Sequence, residues 1–269
     1  MIDLLSGGMS LEGILLYSFS VGLCQLVRGY HRWTVEKRHR NDDRLLSVSD
    51  IQSMVHDMEH LVQKDEGGRG IDQICLPIGE LYRSALEVVR FQPSSSDPRH
   101  RVAIITGFPC LMDYDPPTET DGPLGAVAIA KALLMLNKTV IIVTDECNEE
   151  VVLSAAACMH LEDESLRSHL HMESFPPSTQ FDECESRRFE ELVRSVGLVI
   201  AIERSGPSAD GRYLTMRGKD MSHLMAPLDL MLSETDMHAS NDEHSESVSK
   251  HAVIRSIGIG KCDMHNFHE

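Results

Sequence analysis

Positive charge is scarce in this chain. Its 269 residues include 25 Lys and Arg against 42 Asp and Glu, which gives a formal net charge of −17 at pH 7. Such an acidic surface repels the phosphates of nucleic acids and anionic membranes. The composition therefore predicts no nucleic-acid partner, and a small anionic substrate would need a locally positive pocket.

Closely spaced cysteine pairs and the His-Glu-x-x-His spacing of zinc enzymes are also lacking. The seven cysteines include no Cys-x-x-Cys pair, which is typical of reduced thiols and not of a disulfide framework. No His-Glu-x-x-His segment occurs among the 14 histidines. We therefore assign no zinc site from the sequence.

No apolar run is long enough to cross a bilayer. The run near the N-terminus is interrupted by Glu12 and Gln25, whereas a spanning helix needs about 20 apolar residues. Residues 1–40 lack the positively charged N-terminal region and the small-residue cleavage site of a secretory signal. Their basic residues lie further along the chain than is typical of a mitochondrial transit peptide. We predict no membrane span, and we predict that residues 1–47 form a leader peripheral to the folded core. The absence of a clear transit peptide makes a cytoplasmic location one interpretation.

Residues 101–144 predict a strand–helix–strand unit. Arg101–Thr106 and Thr139–Thr144 are short β-branched apolar runs, typical of strands buried on both faces. Between them, Gly122–Asn137 carries apolar residues at helical spacing, and Thr120 or Asp121 can cap that helix. This order of elements predicts two parallel strands joined by a crossover helix.

Further periodic segments extend this alternation toward both ends of the chain. Strands are predicted at Leu170–Phe175, Gly197–Ile202 and Val253–Ile259, and helices at Asn148–His160, Cys184–Ser195, Met225–Leu232 and within Val48–Phe91. We therefore predict an α/β fold over residues 48–269. It is a doubly wound, mainly parallel sheet with helices on both faces, preceded by N-terminal helices.

Polar and glycine residues follow the predicted strands. In a parallel sheet the carboxyl ends of the strands share one edge, which is where ligands bind in open α/β folds. The clusters at these ends are Thr106-Gly107-Phe108, Thr144-Asp145-Glu146, Glu203-Arg204 and Gly258-Ile259-Gly260. Their convergence favours a site, although a helix cap or a surface charge explains each carboxylate taken singly.

The loop from Gly107 to Asp121 is long for a connection of this kind. It ends on a helix N-terminus, which can bind an anion through backbone N–H groups and the helix dipole. An ordinary structural connection explains the loop equally well.

The clusters resemble the C-terminal domain of the D-glutamate cyclase family. The resemblance covers roughly Val48 to Gly260, with its blocks in the family's order. The blocks are Thr106–Pro109, Thr120–Ala126, Thr144–Glu146, Ala201–Arg204, Asp210–Tyr213, Met216–Gly218 and Ile257–Gly260. It implies an α/β lyase that converts D-glutamate to 5-oxo-D-proline with loss of water. It also implies a mitochondrial location, with another domain ahead of this one in animals.

The resemblance breaks off after Gly260. The family continues there with a Gly-rich acidic loop, whereas this chain reads Lys-Cys-Asp-Met-His-Asn-Phe-His-Glu over residues 261–269. The departure leads us to expect a truncated isoform or incomplete gene model, whose activity is an open question.

The implied reaction needs a base for the amine and an acid or cation at the leaving oxygen. Asp121 and Glu203 are the candidates for proton transfer, and Arg204 or Arg217 for binding the α-carboxylate. Asp145 and Glu146 are candidates for holding a divalent cation. The remaining predicted substrate contacts are Thr106, Gly107, Phe108, Thr120 and Gly122.

Two other functions fit the same residues. The first is a metal-dependent enzyme of phosphate esters, with Mg²⁺ at Asp121, Asp145 and Glu146. The second is a non-catalytic protein that keeps the fold and has lost the site.

Overall fold

Five parallel strands form the centre of the fold. The computed structural model describes residues 47–63, 78–93, 97–159, 161, 163–232 and 255–260. The strands are β1 (Arg101–Thr106), β2 (Thr139–Asp145), β3 (Leu170–Phe175), β4 (Val196–Ile202) and β5 (Arg255–Ile259). They lie in the order β3–β2–β1–β4–β5, and every neighbouring pair is parallel.

Helices cover both faces of this sheet, which confirms the predicted fold class. The helices are α1 (Val48–Val62), α2 (Glu80–Arg90), α3 (Asp121–Met135), α4 (Glu149–Ala157) and α5 (Glu183–Ser195). Apolar side chains of α2, α3 and α4 pack on one face of the strands. Those of α5 pack on the other. The central strands are buried on both sides, which explains why they are continuous apolar runs.

Side chains from other elements satisfy both ends of α2. The buried Glu59 carboxylate of α1 accepts hydrogen bonds from the backbone N–H groups of Gly79 and Leu81, at 2.7 and 3.1 Å. At the other end, the Lys138 ammonium donates to the carbonyl oxygens of Val89 and Phe91. Both contacts complement the helix dipole and hold α2 between α1 and the sheet.

Some predicted boundaries shift. The capping box of α1 begins at Ser47, which pairs reciprocally with Asp50. The helix predicted over Met225–Leu232 is irregular at its start and then a turn, and helical structure begins only at Leu230. The predicted leader, except for Ser47, lies outside the described residues. No helix within the described ranges is long and apolar enough to cross a membrane.

Candidate functional site

The carboxyl ends of β1 and β4 form the point at which the strand order reverses. β1 has β2 on one side and β4 on the other, and Thr106 at its end is paired with Ile202. Gly107 and Glu203 therefore leave the sheet next to each other. Open parallel sheets bind ligands in the crevice at such a reversal, because the loops that follow the two strands diverge there.

Gly107 turns the chain tightly at the end of β1. Its φ angle is +113°, a conformation that residues with a Cβ rarely adopt. A Cβ at this position would lie 2.4 Å from the side-chain nitrogen of Asn148 and 2.8 Å from Oγ1 of Thr144. Glycine is therefore required here by both conformation and space.

Gly122 brings the N-terminus of α3 against both strand ends. A Cβ there would lie 2.9 Å from Oγ1 of Thr106 and 3.1 Å from Cβ of Glu203. The buried Thr106 hydroxyl has no hydrogen-bond partner within the part of the chain that the structure describes. Thr120 is the N-cap residue but makes no side-chain capping bond, so the predicted cap at that residue is not formed.

Glu203 has a strained backbone. Its φ angle is +46°, in the left-handed region, and its N–H donates to the carbonyl oxygen of Ile259 at 2.9 Å. A non-glycine residue held in this region costs about 1–3 kcal/mol, and such residues concentrate at functional sites. This backbone conformation turns the chain away from β4 at Glu203, the residue predicted to transfer protons.

A cavity of about 710 Å³ lies beside Glu203, between the ends of β4 and β5 and a hairpin over residues 213–221. Phe108, Leu214, Met216 and Ile259 contribute apolar walls, and the backbone of several glycines completes the lining. Phe108 packs in turn against Tyr213, Met221 and Met225 under the hairpin. The cavity is large enough for a small organic ligand.

Arg204 and Asp145 form a buried ion pair next to this cavity. Their side chains are 3% and 0% exposed, and both terminal nitrogens of Arg204 donate to the two carboxylate oxygens. Asp145 also accepts the backbone N–H of Ala226 at 2.7 Å and the Asn148 amide at 2.8 Å. Arg204 donates further to the carbonyl oxygen of Ala226 at 2.8 Å. The pair thus joins the ends of β2 and β4 to the segment around Ala226.

The sequence did not pair these two residues, and the substrate and cation roles predicted for them stay predictions. The Arg204 guanidinium reaches from the end of β4 past Gly107 to Asp145 at the end of β2, and this pairing compensates a charge that would otherwise lose its hydration at this depth. The four donors around Asp145 occupy the lone pairs that a cation would need. Among the described residues, no group of three or more His, Cys, Asp or Glu could hold a metal ion. Glu146 is exposed on the 3₁₀ turn that follows β2.

Two ionisable groups near the ion pair are held in their neutral forms. Burial, with a smaller effect from Asp145, raises the pKa of the Cys147 thiol to about 12. Burial and the hydrogen bond to Asp229 raise the pKa of Tyr213 above its usual range. Neither group is therefore an activated nucleophile at neutral pH.

The other predicted residues lie either at the crevice or on exposed segments, apart from Asp121. Thr106, Gly107, Phe108, Gly122 and Glu203 lie at the crevice, as the sheet geometry predicts. Arg217 is exposed on the hairpin between Met216 and Gly218, two residues that line the cavity. Thr120 is exposed before α3. Asp121 is the first residue of α3, but its side chain lies outside the described part of the structure. The chemical roles of these residues stay predictions.

Sequence reasoning missed three parts of the site. Asn148 is buried against Asp145, and its position three residues further along the chain is the signal that could have identified it. Ala226 contributes only backbone groups, which no sequence pattern marks. The hairpin that carries Leu214 and Met216 reads in the sequence as a polar loop.

Together, these features define an α/β protein of the doubly wound class with a ligand crevice where its strand order reverses. The family model described as D-glutamate cyclase-like, C-terminal, matches residues 58–251, and the chain belongs to this family. It is 30% identical over 258 residues to the human protein named D-glutamate cyclase, mitochondrial. That match covers 85% of this chain and 38% of the human protein, so the chain spans well under half of its relative.

Proposed function

We propose that this chain is a lyase that binds D-glutamate in the crevice between β1 and β4 and cyclises it to 5-oxo-D-proline. The observation that carries the proposal is Glu203. It is a carboxylate residue on a strained backbone, at the reversal of strand order, beside a cavity of about 710 Å³. The family membership and the name of the human relative support the choice of reaction.

The reaction forms one C–N bond and breaks one C–O bond. The α-amine attacks the γ-carboxyl carbon of the same molecule, the amine loses a proton, and a carboxyl oxygen leaves as water. Glu203 is proposed as the group that takes the amine proton, with Asp121 as the second proton-transfer residue. The positive end of the α3 dipole lies next to Glu203 and favours the negative charge that develops on the carboxyl oxygen.

The substrate α-carboxylate is assigned to Arg217. Of the two arginines predicted for this role, Arg204 is committed to Asp145, whereas Arg217 is exposed at the rim of the cavity. An exposed guanidinium can turn toward a carboxylate and bind it with two parallel hydrogen bonds. Arg204 then acts as a positioning residue, because it fixes the backbone that follows Glu203.

The D-glutamate-cyclase assay is the direct test. The purified chain is incubated with D-glutamate and with L-glutamate, and 5-oxoproline is followed by chiral chromatography. We expect product from D-glutamate and a loss of turnover of about 100-fold or more in Glu203→Gln, in line with the contribution of general acid–base groups. Glu190→Gln on the exposed face of α5 is the matched control and should keep full turnover.

Two outcomes would contradict the proposal. Binding of D-glutamate without turnover would identify a non-catalytic member of the family. Turnover of phosphate esters that depends on Mg²⁺ would point to the other enzyme class, although the donors around Asp145 argue against a cation there.

The location of the protein is part of the same proposal. The human relative is named as mitochondrial, and we assign this chain to the mitochondrion on that resemblance. Cell fractionation of the full chain tests the assignment, and recovery in the cytosol alone would contradict it.

A further inference from the structure

Two histidine side chains converge on α1, away from the crevice. His56 and His60 are one helical turn apart, and their Nε2 atoms are 3.1 Å from each other. Their rings meet edge to face with centroids 4.4 Å apart. Both residues are exposed, and the proposed reaction uses neither of them.

The distance between the two nitrogens suits a shared metal ion. An ion with nitrogen ligands at about 2.0–2.1 Å places two of them roughly 2.9 Å apart at a right angle and roughly 3.3 Å apart in a tetrahedron. The observed 3.1 Å lies between these values. Without an ion, one Nε2 must carry a proton that the other accepts. A cation that replaces this proton would bind both lone pairs with little movement of the side chains.

The other nitrogen of His56 faces a fixed carboxylate. Nδ1 of His56 lies 3.9 Å from Oε2 of Glu59. Histidines that bind metals commonly direct their second ring nitrogen at a carboxylate, which keeps the proton on that nitrogen and frees the other for the ion. Glu59 is only 4% exposed and is held by the backbone N–H groups of Gly79 and Leu81. At 3.9 Å the contact is electrostatic and not a hydrogen bond, and the negative charge beside Nδ1 favours a proton there and an unprotonated Nε2.

The spacing of these residues is a zinc-type pattern that our sequence analysis overlooked. His56-Asp57-Met58-Glu59-His60 reads His-x-x-Glu-His, an order that one group of zinc peptidases uses on a helix. In those enzymes the glutamate acts on the metal-bound water. Here Glu59 is buried and caps α2, so the pattern supports metal binding and not peptide hydrolysis.

We propose that His56 and His60 bind one divalent transition-metal ion of the Zn²⁺ or Ni²⁺ class through their Nε2 atoms, joining adjacent turns of α1. The described residues contribute only two ligands, so water fills the remaining positions and the ion exchanges with solvent. A cavity of about 350 Å³, lined by His56, Glu59, Gly79 and Tyr82 among others, lies beside His56. The proposal is independent of the cyclase reaction.

Calorimetric titration of the full chain with Zn²⁺ and with Ni²⁺ tests the proposal. We expect His60→Gln and His56→Gln each to weaken the tightest binding phase by about tenfold or more, as loss of an imidazole ligand requires. Because the chain has 14 histidines, His223→Gln on an exposed turn serves as the matched control and should bind as the wild type does. Mg²⁺ should give no such phase, since it prefers oxygen ligands.

Thermal unfolding gives a second, independent measurement of ion binding to the native state. Zn²⁺ should raise the unfolding midpoint of the wild type and of His223→Gln, but not that of His60→Gln, because an ion that binds the native state stabilises it. His60 is exposed, so its replacement leaves the core intact. Equal binding and equal shifts in the wild type and His60→Gln would overturn the proposal, as would an equal loss in His223→Gln.

Discussion

Replacing Arg204 tests whether its main partner is Asp145 or a substrate. In Arg204→Met the Asp145 carboxylate stays buried, and among the described residues its remaining donors are the N–H of Ala226 and the amide of Asn148. Removing one partner of a buried ion pair typically costs about 3–5 kcal/mol, because the remaining charge loses its compensation. We expect a loss of this size in the free energy of unfolding.

A milder change keeps the test measurable. Domain stabilities are only about 5–15 kcal/mol, so Arg204→Met could leave little folded protein. Arg204→Lys keeps the charge but loses the two-pronged contact with Asp145. Because a hydrogen bond to a charged group contributes about 1.5–3 kcal/mol, we expect a loss in that range for the lysine variant.

Urea unfolding followed by circular dichroism measures both changes. The midpoint should fall while the slope stays constant, since only stability changes. The control is Arg187→Met, which removes an exposed ion pair with Glu183 on α5 at 3.5 Å and should cost less than about 1 kcal/mol. In the double variant Arg204→Met with Asp145→Asn, the loss should be smaller than the sum of the single losses, because no unpaired charge remains.

The opposite result is equally informative. If Arg204→Lys unfolds at the wild-type urea concentration but binds D-glutamate more weakly by calorimetry, the buried pair contributes little. Arg204 would then be the substrate anchor that the sequence suggests.

Two further predictions concern the crevice and the edge of the sheet. Gly107→Ala should lower the free energy of unfolding by about 2–4 kcal/mol, because it adds a strained φ to a clash with Asn148. Gly211→Ala, with positive φ but open space, should cost only about 1–2 kcal/mol, and equal losses in urea unfolding would refute the steric part. Burial and then the charge of Arg101 lower the pKa of His171, so the native state resists its protonation and stability should fall as the pH drops below about 6.5. His171→Gln should reduce that acid-side loss in urea unfolding between pH 8 and 5, and an unchanged pH dependence would contradict the assignment.

The architecture could be predicted because its signals are local. Strands buried on both faces must be continuous apolar runs, and the segments that became β1, β2 and β4 stand out for this reason. The alternation with helical periodicity then fixes a parallel sheet. The strand order was not predicted, since several arrangements of five parallel strands satisfy the same pattern.

The site could be predicted only in part, because partners across the sheet leave no local pattern. A parallel sheet brings its carboxyl ends to one edge, which is why Thr106, Gly107 and Glu203 were identified together. Which side chains pair there depends on distances between elements that are far apart in sequence. Asp145 and Arg204 are 59 residues apart, and Ala226 joins them through its backbone alone.

The burial of Arg204 follows from the charge balance of the site. An arginine that directly follows a buried strand has its first carbons inside the protein, so its guanidinium must find an acceptor close by or lose much of its hydration. In a chain with 42 acidic residues, an aspartate at the end of a neighbouring strand is readily available. Once Asp145 fills that role, the pair is neutral and contributes no net attraction to an anionic substrate. Under the proposed function, a cation at the rim holds the substrate carboxylate, which is why we assign it to the exposed Arg217 and not to the more conspicuous Arg204.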